Sequence, residues 1–425
     1  MEIAEMVFRI IIWIAYFFGL YFCIFWLLFY LTNNKRLKEE LSKKFTLKKP
    51  KTVTIIVPAY NEEKTIIKTL RSIISLNYPK KMLKIIVMND GSTDDTKKVT
   101  ERFIRAHKDF DIKHIYQKNS GKANALNNTL KKIDTEYFTC LDADSFVHKD
   151  ALRNMMARFE AEPDLALLTP VMKVYKPKTW LQKFQRLEYM SAMLIIKLMG
   201  YIECNYVAPG PFSTYKTAYI KKIGGFDTNS LVEDQEIAYR LQERHYKIRQ
   251  CSDALVYTVA PNNLKDLQKQ RNRWYKGTLL TLFNYKKILF NKKYGDFGFF
   301  QMPFTLVSYF LAGLLMLSFG WFFLKPTIEK IHQLILIRFD ILPYLQNMRL
   351  SINILDFDIG AGLIMYLLFA GAMILMVKSA RMTQDKVSQD GKIHLIPYFM
   401  IYFIILSFIA IRVCVEVIVG KKQKW

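Results

Sequence analysis

The chain has 425 residues, 51% of them hydrophobic, with 62 Lys and Arg against 37 Asp and Glu and a formal net charge of +25. This length can hold two domains. The apolar residues are concentrated at the two ends while the middle has the composition of a soluble α/β domain, which excludes an ordinary soluble globular protein.

The basic excess points to anionic partners. The sequence has neither an aromatic RNA-binding motif nor a zinc-finger pattern, so we expect no nucleic acid and favour membrane lipid head groups and nucleotide phosphates. The five cysteines and six histidines have no metal-ligand spacing. That pattern indicates a reducing compartment and argues against a zinc site.

The N-terminal segment is predicted to be a transmembrane anchor, residues 1–34. Residues 8–31 are apolar apart from Arg9 and are long enough to cross a bilayer. A cleavable signal peptide is the alternative, but the segment lacks a basic leader and a small-residue cleavage site. A cluster of Lys and Arg follows within residues 35–51, and the positive-inside rule places that cluster in the cytoplasm.

Residues 50–282 are predicted to form an α/β domain with a mostly parallel sheet, because buried-type strands alternate with amphipathic helices. The predicted strands lie at 53–57, 83–88, 111–116, 137–141, 165–175, 247–250 and 254–259. The predicted helices lie at 62–75, 94–107, 122–133, 180–199, 233–244 and 268–282. In such a sheet ligands bind at the carboxyl ends of the strands, where several polar motifs of this chain are found.

Asp142 and Asp144 follow the fourth predicted strand, separated by one alanine. Side chains two residues apart in a strand lie on the same face, so the two carboxylates can converge where the strand ends. A hard divalent cation such as Mg²⁺ or Mn²⁺ would neutralise them and keep open positions for phosphate oxygens. The alternative is a solvated turn with a helix cap at Ser145.

Two further turns offer polar groups near strand ends. Asp90 precedes Gly91 and could accept a hydrogen bond from a nucleobase, although the turn could also simply cap the next helix. Lys122 follows Gly121 at the start of a predicted helix. A helix N-terminus with a lysine suits an anion, but most Gly-Lys pairs are surface turns.

Two later helices carry the remaining candidate residues. Glu233 and Asp234 open one helix, where Asp234 could be a general base; acidic residues that favour the helix dipole are the alternative. Gln270 and Arg273 share one face of the other helix, with Trp274 beside it. Arg273 can pair with phosphate and Trp274 can stack on a sugar. A basic interfacial helix with a tryptophan anchor is the alternative.

The C-terminal part is predicted to return to the membrane. Apolar runs at 299–324, 359–377 and 394–419 are each long enough to cross it, which predicts about three spans within residues 299–425. Residues 283–298 mix aromatic residues with lysines and are predicted to be a helix lying in the interface plane.

These motifs, in this order and with flanking membrane segments, resemble those of the family 2 glycosyltransferases of the GT-A fold. The similarity is greatest to the membrane-embedded synthases of hyaluronan, cellulose, chitin and poly-N-acetylglucosamine, and it covers about residues 52–282. It implies a Rossmann-like cytoplasmic α/β domain flanked by transmembrane helices.

The resemblance also implies roles for particular residues. The uridine-diphosphate donor would be bound by Pro58, Tyr60, Glu62, Asp90, Lys122, Asp142 and Arg273. Asp142 and Asp144 would hold the metal ion, with Asp144 the more direct ligand. The acceptor would be bound by Gly210, Pro211, Gln270 and Trp274. Asp234 would be the general base, with Glu233 as the second catalytic residue.

Three positions depart from the family pattern. Asn89 stands where many members carry a second aspartate, and Val232 replaces the usual threonine before the Glu-Asp pair. Lys216 stands where an arginine is often found near the acceptor loop. None of these changes removes a catalytic group, but the last leaves the identity of the acceptor open.

The predicted function is inverting, processive transfer of a sugar from a UDP-sugar to a growing polysaccharide, coupled to export. The enzyme would be a multi-pass protein of the plasma membrane that uses Mg²⁺ or Mn²⁺. Single transfer to a polyprenyl-phosphate lipid acceptor is one alternative. A nucleotide-sugar-binding membrane protein without turnover is another, although such a protein would be expected to lose its base or metal carboxylates.

Overall fold

The structure is a computed structural model that describes residues 2–339 and 359–421. Part of the predicted C-terminal region, residues 340–358 and 422–425, therefore lies outside the described residues. The chain divides into two compact units. The α/β unit contains Asn33–Phe304 and Met376–His394, and the helical unit contains the described residues of Met1–Thr32, Thr305–Leu375 and Leu395–Lys421.

The α/β unit is built from alternating strands and helices. Its strands are β1 (Val53–Ala59), β2 (Leu83–Asp90), β3 (Asp111–Gln117), β4 (Tyr137–Cys140), β5 (Phe146–Val147), β6 (Leu165–Val174), β7 (Thr214–Lys216) and β8 (Lys247–Thr258). The long helix α1 (Glu2–Ser42) precedes them. The other helices are α2 (Ile66–Ile74), α3 (Thr96–Ala106), α4 (Lys122–Leu130), α5 (Ala151–Ala161), α6 (Trp180–Met199), α7 (Thr217–Lys222), α8 (Glu233–Glu243) and α9 (Leu264–Asn284).

The strands form one mixed sheet in the order β3-β2-β1-β4-β7-β6-β8-β5. Strands β1 to β4 pair in parallel, as do β6 and β8, whereas β7 and β5 pair antiparallel to their neighbours. The predicted α/β class is confirmed. The antiparallel pairs were not predicted, because strands of two or three residues carry no periodic signal.

Hydrophobic side chains fill both faces of the sheet. Ile55 and Val57 of β1 join a cluster with α2 and α5, while Ile56 between them joins a second cluster with α4 and α8. This alternation follows from the two-residue period of a strand. Because both faces are covered, the sequence of β1 is apolar at nearly every position, with Thr54 as the polar exception.

The order of the strands creates a crevice at their carboxyl ends. From β1 the chain adds β2 and β3 on one side and then returns to place β4 on the other. The loops that leave β1 and β4 therefore run to opposite sides and leave a space between them. In open α/β sheets ligands bind in such a space.

Two predictions about elements are corrected by the structure, besides shifts of a few residues at several helix ends. The strands predicted at 247–250 and 254–259 are a single strand, β8, whose pairing with β6 has register shifts. The prediction of an interfacial helix at 283–298 is wrong, because the structure has no continuous helix over these residues. There α9 ends at Asn284 and two short 3₁₀ turns follow, Lys286–Ile288 and Lys292–Tyr294. The chain bends back because the backbone N–H of Phe290 donates to the Gly298 carbonyl, at 3.1 Å.

Four helical stretches among the described residues are long and apolar enough to cross a membrane: Glu5–Ser42, Phe297–Phe319, Ile359–Met382 and Lys392–Ile418. They make the chain a membrane protein by length and hydropathy and confirm that apolar helices flank the α/β domain. Within the helical unit, a side chain at Gly371 would collide with Cys23, so the two helices approach closely only because residue 371 is a glycine.

Within the α/β unit, Arg186 of α6 holds the 376–394 segment against α6. Its guanidinium donates to Asp390 at 2.6 Å, to Asp385 at 3.1 Å and to the Lys386 carbonyl at 3.1 Å. Arg186 and Asp385 are both buried. A buried guanidinium needs several acceptors to compensate for lost hydration, and this segment supplies them.

The first testable prediction concerns this contact. Arg186→Met should lower the free energy of unfolding by about 3–5 kcal/mol, because it leaves the Asp385 carboxylate buried without its arginine partner. It should also accelerate tryptic cleavage after Lys386. Thermal unfolding and limited proteolysis of the full chain would measure both effects. The exposed Arg153 of α5 offers a control, Arg153→Met. Equal stability and cleavage in the two variants would contradict the fastening role.

Candidate active site

Lys122 lies at the centre of a cluster of charged side chains. Its Nζ is 2.7 Å from Asp142 Oδ1 and 2.9 Å from Glu233 Oε1. Asp142 follows β4, Lys122 begins α4 and Glu233 begins α8, so three separate elements converge on one point. The helix cap proposed as an alternative at Ser145 is wrong, because β5 follows that residue.

Asp90 holds the turn from which Lys122 projects. Its carboxylate accepts hydrogen bonds from the backbone N–H groups of Ser120 at 2.9 Å and Gly121 at 2.8 Å, and from Gln117 Nε2 at 2.7 Å. Gly121 has a φ of +91°, which favours glycine at the start of α4. In this structure Asp90 therefore positions Lys122, and both of its oxygens already accept hydrogen bonds.

The loop before β7 closes over Asp142. The backbone N–H of Phe212 donates to the Cys140 carbonyl at 2.6 Å, which ties the loop to the end of β4. A Cβ atom at Gly210 would lie 2.9 Å from both Asp142 Oδ2 and Lys122 Nζ. A side chain at this position would therefore displace the Asp142–Lys122 pair from its present geometry.

Close packing of α8 and α9 places the acidic pair near the Gln-Arg-Trp helix. Val232, which immediately precedes α8, is buried and would collide with any side chain at Gly277 of α9. Glu233 and Asp234 occupy the first turn of α8, where the helix dipole favours carboxylates. Val232, one of the three departures noted in the sequence, is thus a packing contact.

Helix α9 presents Trp274 beside the acidic pair. The Trp274 ring lies 6.4 Å from the Tyr189 ring of α6 and 4.3 Å from the Arg271 guanidinium, measured to the ring centroid. Arg271 is buried and paired with Glu188 at 2.7 Å. Arg273 Nη1 is 3.5 Å from the Leu231 carbonyl. The two contacts fix the orientation of the indole, and because Trp274 lines the cavity described below, its ring can stack on a sugar there.

One cavity of about 360 Å³ collects most of the predicted site residues. It is lined by Lys122, Asp142, Asp144, Gly210, Pro211, Glu233, Asp234, Gln270, Arg273 and Trp274. The other four predicted residues do not line it: Pro58, Tyr60, Glu62 and Asp90. Of these, Asp90 acts on the cavity through Lys122, and Tyr60 is exposed at the end of β1.

The electrostatics of the cavity separate the two acidic residues of α8. Burial and the adjacent Glu233 carboxylate raise the pKa of Asp234 to about 6. Burial also acts on Glu233, but the charge and hydrogen bond of Lys122 outweigh it and leave the pKa of Glu233 below its ordinary value. Glu233 is therefore an ion-pair partner, while Asp234 can take up a proton near neutral pH.

The other two sequence departures lie outside the cavity. Asn89 Oδ1 accepts from the Ser92 backbone N–H at 2.8 Å, so the residue shapes the turn after β2. Lys216 ends β7 and donates to the Pro163 carbonyl at 3.0 Å. Sequence reasoning missed Gln235, Thr278, Glu188 and Tyr189, which also line the cavity. Only their spacing from the recognised motifs along α6, α8 and α9 could have indicated them.

Comparison with known proteins identifies related chains. The family profile "Glycosyltransferase like family 2" matches residues 50–277. A poly-beta-1,6-N-acetyl-D-glucosamine synthase of Staphylococcus epidermidis is 32% identical over 276 residues, which are 64% of this chain and 65% of the relative. The synthase of the same name from Staphylococcus aureus strain COL is 32% identical over 269 residues, 61% of this chain and 64% of that one. The match thus spans less than two thirds of either relative.

A solved structure shares the fold. A mannosyltransferase from Pyrobaculum calidifontis, solved in complex with GDP-mannose and Mn²⁺, superposes with a TM-score of 0.58 at 18% sequence identity. The superposition covers 96% of this chain and 100% of that one. At this identity the likeness supports the fold alone.

Proposed function

Because the chain belongs to the family 2 glycosyltransferases, we propose that it transfers a sugar from a uridine-diphosphate donor to a growing polysaccharide, with inversion at the anomeric carbon. The observation that carries this proposal is the single cavity in which Asp142, Lys122, Asp234 and Trp274 meet. Lys122 and Arg273 suit the diphosphate, and Trp274 together with the base Asp234 suits an acceptor sugar.

The proposed chemistry is a single displacement. An acceptor hydroxyl oxygen attacks the anomeric carbon of the donor as the bond to the diphosphate oxygen breaks. The bonding electron pair leaves with uridine diphosphate, and the hydroxyl proton goes to Asp234. Lys122 and Arg273 stabilise the charge that grows on the leaving group, and Trp274 orients the acceptor by stacking. Glu233 keeps Lys122 in place through their ion pair.

The two carboxylates that follow β4, Asp142 and Asp144, fit a divalent cation. Burial and the neighbouring Asp142 raise the pKa of Asp144. The cationic side chains nearby therefore do not fully compensate the negative charge of the two carboxylates. Among the described residues no three His, Cys, Asp or Glu side chains gather as a metal-binding group. Asp144, with Asp142, would hold Mg²⁺ or Mn²⁺, and the ion would offset charge on the diphosphate. Lys122 already engages one oxygen of Asp142, which favours Asp144 as the main ligand.

We take N-acetylglucosamine as the first sugar to test, since the two staphylococcal relatives are named for a polymer of it. The full chain, purified in detergent, would be given a panel of UDP-sugars with Mg²⁺ or Mn²⁺. Nucleotide release and product mass would be read together. Release of uridine diphosphate with a ladder of saccharides supports the proposal. A single organic-soluble glycolipid would instead indicate transfer to a lipid carrier, and donor binding without release would exclude turnover.

The proposed location is the plasma membrane, with residues 50–282 in the cytoplasm, residues 1–34 as an anchor and residues 299–425 as a membrane region of about three spans. The basic cluster within residues 35–51 supports this orientation through the positive-inside rule. Growing polysaccharide and membrane lipids are the proposed partners besides the nucleotide sugar.

The raised pKa of Asp234 predicts how the rate depends on pH. The base must be ionised to accept a proton, and its pKa is raised to about 6. The rate of transfer should therefore be nearly constant above pH 7. Well below pH 6 it should fall about tenfold for each pH unit. Initial rates at saturating donor from pH 4.5 to 8 would measure this limb, with thermal unfolding as the control for acid denaturation. A midpoint near 4, with the fold intact, would contradict the assignment.

A further inference from the structure

Gln235 is a buried side chain next to the proposed base that no motif includes. It is the third residue of α8 and is 6% exposed. Its backbone N–H donates to Asp234 Oδ1 at 2.9 Å, and its side chain lines the active-site cavity. Gln235 therefore belongs to the site by its position, although nothing in the sequence distinguishes it from an ordinary helix residue.

Thr278 of α9 fixes one end of the Gln235 amide. The Thr278 hydroxyl lies 2.7 Å from Gln235 Oε1 and 2.9 Å from the Trp274 carbonyl oxygen, so its proton is shared between two acceptors. Thr278 is one helical turn after Trp274. The amide plane is thereby held between the helix that carries the base and the helix that carries the stacking surface.

The other end of the amide has no protein partner. Gln235 Nε2 is buried and forms no hydrogen bond with any residue in the described part of the chain. The same is true of Oε1 of Gln270, which lines the same cavity. A buried polar atom left unpaired is costly, and such atoms in a native fold call for a ligand or water. A sugar hydroxyl or acetamido group can accept from Nε2 of Gln235 or donate to Oε1 of Gln270, because each such group both donates and accepts.

We propose that Gln235 binds the acceptor saccharide, its Nε2 donating a hydrogen bond to an oxygen of the sugar that stacks on Trp274. This proposal rests on the proposed function. The acceptor is favoured over the donor as the partner because Gln235 lies next to two groups proposed to act on the acceptor. Its backbone N–H donates to Asp234, and its side-chain oxygen contacts the Thr278 hydroxyl, which also contacts the Trp274 carbonyl oxygen. The cations Lys122 and Arg273, in contrast, suit the diphosphate. Gln235 would thus select acceptors that present an oxygen at this position.

The test compares acceptor kinetics of matched variants. Full-length protein in nanodiscs would transfer from UDP-N-acetylglucosamine to a β-1,6-linked N-acetylglucosamine tetrasaccharide. Gln235→Met keeps the size of the side chain and removes the amide, and should raise the acceptor KM about 3- to 10-fold with a much smaller change in donor KM. The control is Gln242→Met in the same helix, because Gln242 is equally buried but donates to the Asn205 carbonyl outside the cavity. That variant should keep the wild-type acceptor KM.

A second variant tests the direction of the hydrogen bond. Gln235→Glu keeps the oxygen that Thr278 contacts and replaces the donating NH₂ with an acceptor, so at pH 8 its acceptor KM should rise at least as much. Thermal unfolding would show that each variant is folded. If Gln235→Met fails to fold, Thr278→Val, which releases the amide, should still raise the acceptor KM.

The outcomes separate the two claims. If the wild-type protein transfers sugar and Gln235→Met or Gln235→Glu has an unchanged acceptor KM, the role of Gln235 is overturned while the proposed function stands. An equal rise of the acceptor KM in Gln242→Met would also overturn this role, because the effect would then come from a less stable helix rather than from a contact with the acceptor. If the wild-type protein transfers no sugar to any acceptor, the proposed function itself is overturned.

Discussion

Asp234→Asn is expected to lower the rate of sugar transfer by at least about 10²-fold while leaving donor binding intact. Asparagine has nearly the size and shape of aspartate but accepts no proton at these pH values, and general-base help is typically worth about 10²–10⁴-fold. The backbone of residue 234 accepts from the Ala208 N–H at 3.0 Å, a contact that the substitution leaves in place. Turnover and UDP affinity of the full chain would be measured side by side.

The control for this variant is Glu243→Gln at the other end of α8, where the carboxylate pairs with Lys287. It removes an acid from the same helix without touching the cavity and should leave turnover within about 2-fold of the wild type. Asp234→Asn should also lose the acid limb of the pH profile. Near wild-type turnover in Asp234→Asn would remove the base assignment.

Lys122→Met is expected to have the second largest effect, lowering kcat/KM for the donor by at least about 10²-fold, or about 2.7 kcal/mol of transition-state stabilisation. The lysine is the cation that contacts both Asp142 and Glu233. Without it these carboxylates and Asp234 would face the diphosphate with much less compensating charge. The repulsion should weaken UDP binding as well as slow transfer.

The matched control is Lys131→Met, at the exposed C-terminal end of α4. It removes the same charge from the same helix outside the cavity, so it distinguishes a local role from a change in net charge. UDP affinity by calorimetry and initial rates would be compared in the two variants. Unchanged UDP affinity and turnover in Lys122→Met would contradict the electrostatic role.

Most of the parallel half of the sheet could be predicted because β1, β2 and β4 are buried on both faces. Runs such as Val53–Ala59 are apolar apart from Thr54, and the helices between them have apolar stripes at helical spacing. The antiparallel half could not. Its strand β7 has three residues and β5 has two, and both exist only because neighbouring strands offer them hydrogen bonds.

The candidate site was predictable where chemistry requires charged groups at strand or helix ends. Asp142, Lys122 and Asp234 were identified that way, and the cavity collects them. The part that escaped prediction depends on tertiary contacts. The carboxylate of Asp90 engages a turn 30 residues later, and Gln235 depends on a threonine 43 residues away. Neither separation leaves a pattern in the sequence.

The most direct test of the account is whether one uridine diphosphate is released for each sugar incorporated. Full-length protein in nanodiscs would be given UDP-N-acetylglucosamine labelled in the sugar, and both nucleotide and saccharide-bound label would be counted over time. We predict equal molar amounts, with the label in saccharides of increasing mass. Nucleotide release with the label only in free sugar, or bound donor without release, would contradict a cavity that joins donor and acceptor.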